Sequence, residues 1–241
     1  MTPAATAASP PLPQDRSPPR VALSLGGVGA LGEELLAALV ASPRYRLVYV
    51  ALKQAIGSAS AKYRPWVPGS TVIVADDAYL CVTDADSFVP KASPVRTFSA
   101  EQLVDAARIA RDAGVRRLVV VSPLSALLQL NAASHAISSE QELALVDMRF
   151  ETLVIVHPTR GDSAAASGAW VGRVVHAMAR SVMEIMLPSQ VQALHPRTAA
   201  LAILAAVERL PPGVHVIGAR ELLAAIEQSM PALAPRQPRL R

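Results

Sequence analysis

The stretch VALSLGGVGALGEELLAAL, residues 21–39, joins an apolar run to a glycine-rich turn and then to a helical pattern. VALSL (21–25) has the length and continuous apolar character of a buried strand, and GEELLAALVAS (32–42) has apolar residues at helical spacing. The glycines between them have the spacing GxxGxxG and also GxGxxG; they are Gly26, Gly27, Gly29 and Gly32. A glycine turn that follows a strand and opens a helix is typical of the first unit of a Rossmann-type α/β domain.

This turn predicts a loop that binds the phosphates of a dinucleotide. The absent side chains let the chain leave the strand sharply and let bare backbone approach a pyrophosphate, while Gly32 lets the helix pack closely on the sheet. The helix N-terminus adds unpaired N–H groups and the positive end of its dipole. The predicted cofactor contacts in this loop are Gly26, Gly27, Val28, Gly29, Ala30, Leu31 and Gly32. A tight strand–helix turn without a ligand is the alternative.

The end of the second apolar run, RLVYVAL (46–52), bears on the choice between the two nicotinamide dinucleotides. A carboxylate there would accept a hydrogen bond from a ribose 2′-hydroxyl. The run is instead followed by Lys53 and Gln54. Because Lys53 can pair with a 2′-phosphate, the sequence favours NADP(H) over NAD(H). NAD(H), an empty pocket and a merely solvated Lys53 remain alternatives.

The rest of the chain alternates apolar runs with helical patterns, which predicts a single domain with a doubly wound, mostly parallel sheet. Further strands are expected at 116–122, 152–158 and 214–218, with one of 71–75 and 78–83 in the central sheet, and further helices near 99–114, 138–150, 169–186, 197–209 and 220–229. Ser99 with Gln102 forms a capping-box pattern, and Gly114 is expected to end that helix. Residues 53–70 are expected to be mostly loop because they are rich in proline and glycine.

Composition separates this domain, residues 21–230, from two Pro/Ala-rich tails, 1–20 and 231–241, that we expect to be disordered. Of 23 basic and 19 acidic side chains, five basic and one acidic lie in the tails, so the domain itself is neutral despite the net charge of +4. A nucleic-acid binder concentrates basic residues on a folded face. We therefore expect no nucleic-acid partner.

Two further features concern the compartment. No apolar run reaches the roughly 18 residues of a membrane span, so no membrane partner is expected. Cys81 is the only cysteine, which fits a reducing compartment, and we expect a cytoplasmic protein. Cys81 lies in an apolar run and is predicted to be a small buried residue, not a nucleophile.

Over roughly residues 20–160 the chain resembles the atypical short-chain dehydrogenase/reductases, in particular the NAD(P)H-binding branch around the Tat-interacting oxidoreductase-like protein. The stretches that carry the resemblance, in their order along the chain, are SLGGVGALG, DAYLCVTDAD, VRTFSAEQLVDAARIARDAGVRRLVVVSPLSA and SSEQELALVDMRFETLVIVHP. The resemblance implies a Rossmann fold and a nicotinamide cofactor, with Thr83 and Ser122 beside that cofactor. Ser122 stands at the position of the family's catalytic serine.

The chain departs from this family at the residues that carry its chemistry. The family uses a Tyr, with a Lys four residues later, as the general acid of carbonyl reduction. Those positions fall on Ser134 and Ser138, or on His135 and Ser139 after a one-residue slip, and no Tyr or Lys occurs from residue 92 onward. A family glycine is replaced by Asp84, and the Arg of an Arg-Pro pair is replaced by His157. Tyr-Lys reductase chemistry is therefore not expected.

No other catalytic group stands out from spacing alone. The histidines show no metal-ligand spacing, so no metal site is expected; they are His135, His157, His176, His195 and His215. Ser122 with His135, oriented by Asp84, is a candidate for a nucleophile–base pair, but the GxSxG pattern of a nucleophile elbow is absent.

Three hypotheses follow. The first is a catalytically degenerate, NAD(P)(H)-binding protein that senses, scaffolds or regulates, with a protein partner or a second copy of the chain. The second is an NADPH-dependent reductase whose proton donor is water, Ser122 or His135. The third is a structural module with an empty pocket. The missing Tyr and Lys favour the first or third, and the intact glycine loop favours the first over the third.

Overall fold

The computed structural model describes residues 18–57, 60–83, 93–122, 139–158 and 195–229. Within these ranges, seven parallel strands form one sheet in the order β3-β2-β1-β4-β5-β6-β7. The strands are β1 Arg20–Leu25, β2 Tyr45–Ala51, β3 Tyr63–Trp66, β4 Asp77–Cys81, β5 Arg117–Val121, β6 Thr152–His157 and β7 Gly213–Gly218. The helices are α1 Gly29–Ala41, α2 Leu103–Asp112, α3 Ser139–Asp147, α4 Pro196–Arg209 and α5 Ala219–Ser229. The predicted Rossmann-like α/β fold is confirmed.

Helices cover both faces of the sheet, and each face has its own apolar cluster. Leu118 and Val120 of β5 pack with α2 and α3, whereas Val119 and Val121 pack with α1, α4 and α5. Successive side chains of a strand point to opposite faces. A strand buried on both faces must therefore be apolar at every position, which explains the continuous apolar runs of the sequence.

The strand order creates a topological switch point beside β1 at the carboxyl ends of the strands, which form the C-terminal edge of the sheet. β2 and β4 lie on either side of β1, so the direction of winding reverses between β1 and β4. In open parallel sheets, ligands bind outside the carboxyl ends of the strands at this switch point. The residues that follow β1, β4, β5 and β6 all lie at that C-terminal edge.

A strand was missed in the region predicted to be mostly loop. β3 (Tyr63–Trp66) pairs with β2, and Pro65 stands opposite Val50. Proline cannot donate to a ladder, but an edge strand needs donors on one side only, and β3 is the edge of the sheet. The prolines and glycines of this region therefore indicated loop where a short edge strand forms.

Of the two runs 71–75 and 78–83, the second supplies the strand, as β4, and 71–75 forms none. Helix α1 begins at Gly29, three residues before the predicted start, so the glycine loop provides its first turn. Before α2, the backbone N–H of Ser99 donates to Oε1 of Gln102 at 3.3 Å, as the capping box predicts, although the turn there is a 3₁₀ helix. Gly114, at φ +74°, ends α2. The predicted helix at 169–186 lies outside the described residues.

A buried polar cluster lies at the opposite, N-terminal edge of the sheet. The Tyr45 hydroxyl donates to Oδ2 of Asp77 at 2.8 Å and lies 2.9 Å from the Tyr79 hydroxyl. Nη1 of Arg20, the first residue of β1, lies 3.4 Å from the same Asp77 oxygen. Asp77 is fully buried, and its Oδ1 has no hydrogen-bond partner within the described ranges. Burial therefore raises the pKa of Asp77, although Arg20 and the Tyr45 hydrogen bond oppose the shift.

Candidate functional site

The glycine loop turns out of β1 through two residues in the left-handed region, Gly26 at φ +76° and Gly29 at φ +78°. A Cβ at Gly26 would overlap the carbonyl oxygen of Cys81, the last residue of β4. A Cβ at Gly32 would lie 3.0 Å from the carbonyl carbon of Gly27. The missing side chains at Gly26 and Gly32 are therefore needed for the close packing of loop, sheet and helix, with or without a ligand.

Gly29 is different, because the space beside it is open. A Cβ on Gly29 would meet no heavy atom of the described residues within 4 Å beyond its chain neighbours and its own helix. Gly29 is also the first residue of α1, whose N-cap, Val28, makes no side-chain capping bond. Backbone N–H groups at a helix start need partners from side chains, water or a ligand. Within the described residues, the loop thus offers N–H groups without a side-chain cap next to open space, which is the arrangement that an anionic phosphate requires.

The other predicted loop residues divide by burial. The side chains of Val28 and Leu31 are buried, and Leu31 packs between the sheet and α4. Gly27 is buried against Leu36 and Ser24. Ala30 is exposed. Val28 and Leu31 can therefore offer a ligand only their backbone groups.

The segment from Pro94 to Phe98, for which no role was predicted from the sequence, connects the ends of β2 and β4. Its carbonyl groups accept from Lys53 N at one end (Pro94 O, 2.8 Å) and from Thr83 N at the other (Phe98 O, 2.8 Å). Arg96 N donates to the carbonyl of Ala51 at 2.9 Å. A Cβ on Gly26 would lie 3.6 Å from the Phe98 ring, so the segment also packs on the glycine loop.

Two cations stand at the end of β2. Lys53 is exposed, and the guanidinium carbon of Arg96 lies 5.3 Å from the centroid of the Phe98 ring. No carboxylate stands with them among Leu52 to Gly57 or Ser93 to Phe98. This end of the site therefore has the positive charge that a ribose 2′-phosphate requires. Arg96 is far from β2 in the sequence, and its backbone hydrogen bond to Ala51 brings it to this end.

Thr83 follows β4, and its side chain offers an unused polar atom. Its Oγ1 is buried and makes no hydrogen bond to any other described residue. Buried hydroxyl groups are almost always paired, so an orphaned one calls for an explanation. Its position beside the glycine loop fits the predicted contact with a cofactor.

Ser122 and His157 follow the neighbouring strands β5 and β6. Ser122 Oγ lies 3.1 Å from Nδ1 of His157, and Nε2 of His157 lies 3.9 Å from Oε1 of Glu142 on α3. Glu142 and His157 are mostly buried, at 17% and 13% exposure of their side chains. His135, the partner of Ser122 predicted from the sequence, lies outside the described residues, and the histidine that contacts Ser122 is His157. In the sequence, the apolar runs of β5 and β6 both end in a valine followed by a polar residue, at Val121-Ser122 and Val156-His157. This shared pattern could have predicted the pair.

The remaining predicted positions are partly outside the described residues. Asp84, Ser134 and Ser138 lie there, whereas Ser139 begins α3. Of the tyrosines that precede residue 92, Tyr45 and Tyr79 are buried at the opposite edge of the sheet. Neither can therefore replace the missing tyrosine from elsewhere in the chain.

Cys81 is buried and reduced, and burial raises the pKa of its thiol to about 12. A thiol with that pKa carries almost no thiolate near neutral pH, so its prediction as a buried apolar residue is confirmed. The described ranges contain no group of three or more His, Cys, Asp or Glu side chains that could hold a metal ion. Among the helices described, none has the length and apolar character needed to cross a bilayer.

Comparison with known proteins identifies no family for this chain. The sequence matches no protein-family model, and no curated protein is similar to it. Among solved structures, the chain is similar to the reductase domain of PhqB from Penicillium fellutanum, at a TM-score of 0.37 and 12% identity. The match covers 92% of this chain and 80% of that one.

Proposed function

We propose that this protein binds a nicotinamide dinucleotide, NAD(P)(H), along the C-terminal edge of its sheet and lacks Tyr-Lys reductase chemistry. The observation that carries the proposal is the open space beside Gly29 at the uncapped start of α1. A tight turn without a ligand explains Gly26 and Gly32 by packing, but it gives no reason for uncapped N–H groups at the switch point of the sheet. A bound pyrophosphate supplies that reason.

The rest of the edge fits the two halves of such a ligand. On the β2 side, Lys53 and Arg96 suit a 2′-phosphate, so NADP(H) is the preferred cofactor. On the other side, Thr83 Oγ1 and Ser122 Oγ follow β4 and β5 and can bond the nicotinamide half. Adjacent strands lie about 4.8 Å apart, so β5 is about 10 Å from β1. Along the C-terminal edge, the glycine loop can therefore contact the phosphates while Thr83 and Ser122 contact the nicotinamide half.

The first candidate role for the bound dinucleotide is sensing, scaffolding or regulation, in which binding at the C-terminal edge changes how the domain contacts a partner. It is motivated by the absence of any Tyr or Lys after Lys91. The second candidate role is NADPH-dependent reduction with another proton donor. One specific observation favours it, namely the contact between Ser122 and His157.

A titration of the purified protein with NADPH and, separately, with NADH tests the binding proposal. Nicotinamide fluorescence reports occupancy, and the melting temperature reports stabilisation. At a ligand concentration of about 100 times Kd, binding stabilises the fold by about 2.7 kcal/mol. We expect NADPH to bind more tightly than NADH. If neither ligand changes fluorescence or melting at millimolar concentration, the proposal is wrong and the pocket is empty.

A further inference from the structure

The register of β5 and β6 brings Ser122 and His157 together. Arg117 stands opposite Thr152 and Val121 opposite Val156, so paired residues are a constant 35 positions apart, as Ser122 and His157 also are. The N–H of Ser122 donates to the carbonyl of Val156 at 3.0 Å, which extends the ladder to this point. Both side chains therefore leave the sheet on the same face, the one that α2 and α3 cover.

A third side chain, that of Glu142 on α3, lies beside Ser122 and His157. Leu145 and Val146 of this helix pack into the cluster beneath that face, and Gln141 Nε2 donates to the carbonyl of Ala100 at 2.6 Å. The hydrogen bond holds the first turn of α3 against the 3₁₀ turn that precedes α2. Glu142 on this part of the helix thus reaches His157 from above the sheet, at ion-pair distance.

We propose that Ser122, His157 and Glu142 form a proton relay that replaces the missing Tyr-Lys pair, and that the protein reduces a carbonyl substrate. This inference rests on the proposed dinucleotide binding, and it assigns the bound cofactor to the second of the two roles. The substrate class is an aldehyde, ketone or quinone. Ser122 is the catalytic residue, since its hydroxyl touches the reacting oxygen, whereas Glu142 is a positioning residue.

The relay balances as a two-electron reduction. A reduced nicotinamide, if bound at this edge, would supply a hydride to the carbonyl carbon, and the electron pair of the C=O π bond would move to oxygen. That oxygen takes the proton of Ser122 Oγ, and Oγ in turn takes the proton from Nδ1 of protonated His157. The products are an alcohol, the oxidised dinucleotide and a neutral imidazole, which regains its proton from solvent.

The observed geometry is compatible with both protonation states of His157, the imidazolium and the neutral ring. In the imidazolium both nitrogens carry protons, so Nδ1–H faces Ser122 Oγ while Nε2–H faces Glu142. In the neutral ring, a proton kept on Nε2 leaves Nδ1 free to accept from the serine hydroxyl. At 3.9 Å from Nε2, Glu142 Oε1 is too far for a hydrogen bond, so Glu142 acts through its charge, which stabilises the imidazolium form that the relay needs.

A positioned proton donor contributes about 10²–10⁴-fold to a rate. Serine alone is a poor acid because losing its proton leaves an alkoxide. An adjacent imidazolium can give its own proton to the serine oxygen, so no alkoxide remains. The relay thus supplies what Ser122 lacks in isolation. It also explains why a histidine with a nearby carboxylate stands beside this serine at the edge that would hold the nicotinamide.

The geometry is tested first without any ligand. In protein labelled with 15N-histidine, the His157 signals are identified by their loss in His157→Gln, with His215→Gln as the matched histidine control. We expect Ser122→Ala to move the Nδ1 signal and Glu142→Gln to move the Nε2 signal. Glu140→Gln, on the exposed surface of the same helix, should move neither. Unchanged His157 signals in both relay variants would overturn the assignment.

Turnover is tested at saturating NADPH with benzaldehyde, acetophenone and menadione as probes. We expect turnover of at least one probe, a fall of about 100-fold or more in kcat in Ser122→Ala and His157→Gln, and a smaller fall in Glu142→Gln without a matching change in KM. Ser122→Thr keeps a hydroxyl and should retain most of the rate, which also covers the case that Ser122→Ala fails to fold. Glu140→Gln and His215→Gln should match the wild type.

The outcomes separate this inference from the proposed function. If NADPH binds but no probe turns over, or if Ser122→Ala and His157→Gln remain active, the relay is wrong and the binding proposal stands. If neither NADPH nor NADH binds, both are wrong. Turnover that requires Ser122 and His157 supports both together.

Discussion

The glycine loop gives the sharpest test of the proposed cofactor site, through Gly29→Asp paired with Gly114→Asp. Both glycines have a positive φ, +78° and +74°, and a Cβ on Gly114 would meet only a Val74 methyl at 3.8 Å. The backbone cost of a side chain in this region is about 1–2 kcal/mol, and less for Asp than for most residues. Because Gly114 ends α2 at the opposite edge of the sheet, its variant measures that cost away from the site.

For a domain of this size, 1 kcal/mol shifts the melting temperature by about 2–4 °C. Both variants should therefore melt roughly 2–8 °C below the wild type without ligand. Adding NADPH at about 100 times Kd should raise melting by roughly 5–11 °C in the wild type and in Gly114→Asp. In Gly29→Asp the rise should vanish, because the carboxylate occupies the open space and repels a phosphate. Gly29→Asn, equal in size but neutral, separates volume from charge.

A thermal-shift series over NADPH concentration, with circular dichroism to confirm folding, carries out the test. The reasoning is refuted if folded Gly29→Asp keeps the full NADPH-induced rise. It is also refuted if Gly114→Asp loses that rise as completely as Gly29→Asp does, since the effect would then come from backbone strain and not from the site.

The remaining predictions concern cofactor choice and the buried cluster. Lys53→Ala should weaken NADPH binding by about 1 kcal/mol, close to the upper end for an exposed charge pair, and leave the Kd of NADH unchanged; an equal loss for both ligands would remove Lys53 from the 2′-phosphate site. Tyr45→Phe should lower the free energy of unfolding by about 1–3 kcal/mol in urea denaturation, because it removes the 2.8 Å hydrogen bond to buried Asp77, and a loss below 0.5 kcal/mol would contradict this. Burial raises the pKa of Asp77, so its contribution to stability is full below the usual Asp pKa and falls as pH rises through the folded value. Asn cannot ionise, so the melting temperature of Asp77→Asn minus that of the wild type should increase from pH 4 to pH 7, and a decrease would mean that Arg20 and Tyr45 outweigh burial.

The parts of this protein that depend on neighbouring residues could be predicted from the sequence. The strand, glycine turn and helix of residues 21–39 are contiguous, and periodicity with glycine spacing indicated all three. The cap at Ser99 and the helix end at Gly114 are equally local. The continuous apolar runs predicted strands covered on both faces, because burial on two sides leaves no place for an alternating pattern.

What the tertiary structure alone decided is how distant residues meet. Pro65 lies in a strand because an edge position tolerates a missing donor, and local composition does not show where an edge will be. The pairing of Ser122 with His157 depends on the register of β5 and β6, and that of Tyr45 with Asp77 on the order of strands in the sheet. Register and strand order are set by the packing of the whole core, since a shift of one residue would reverse every side chain of a strand. The sequence by itself therefore determined the fold class and the glycine loop, and only the assembled sheet determined which side chains stand together at its edge.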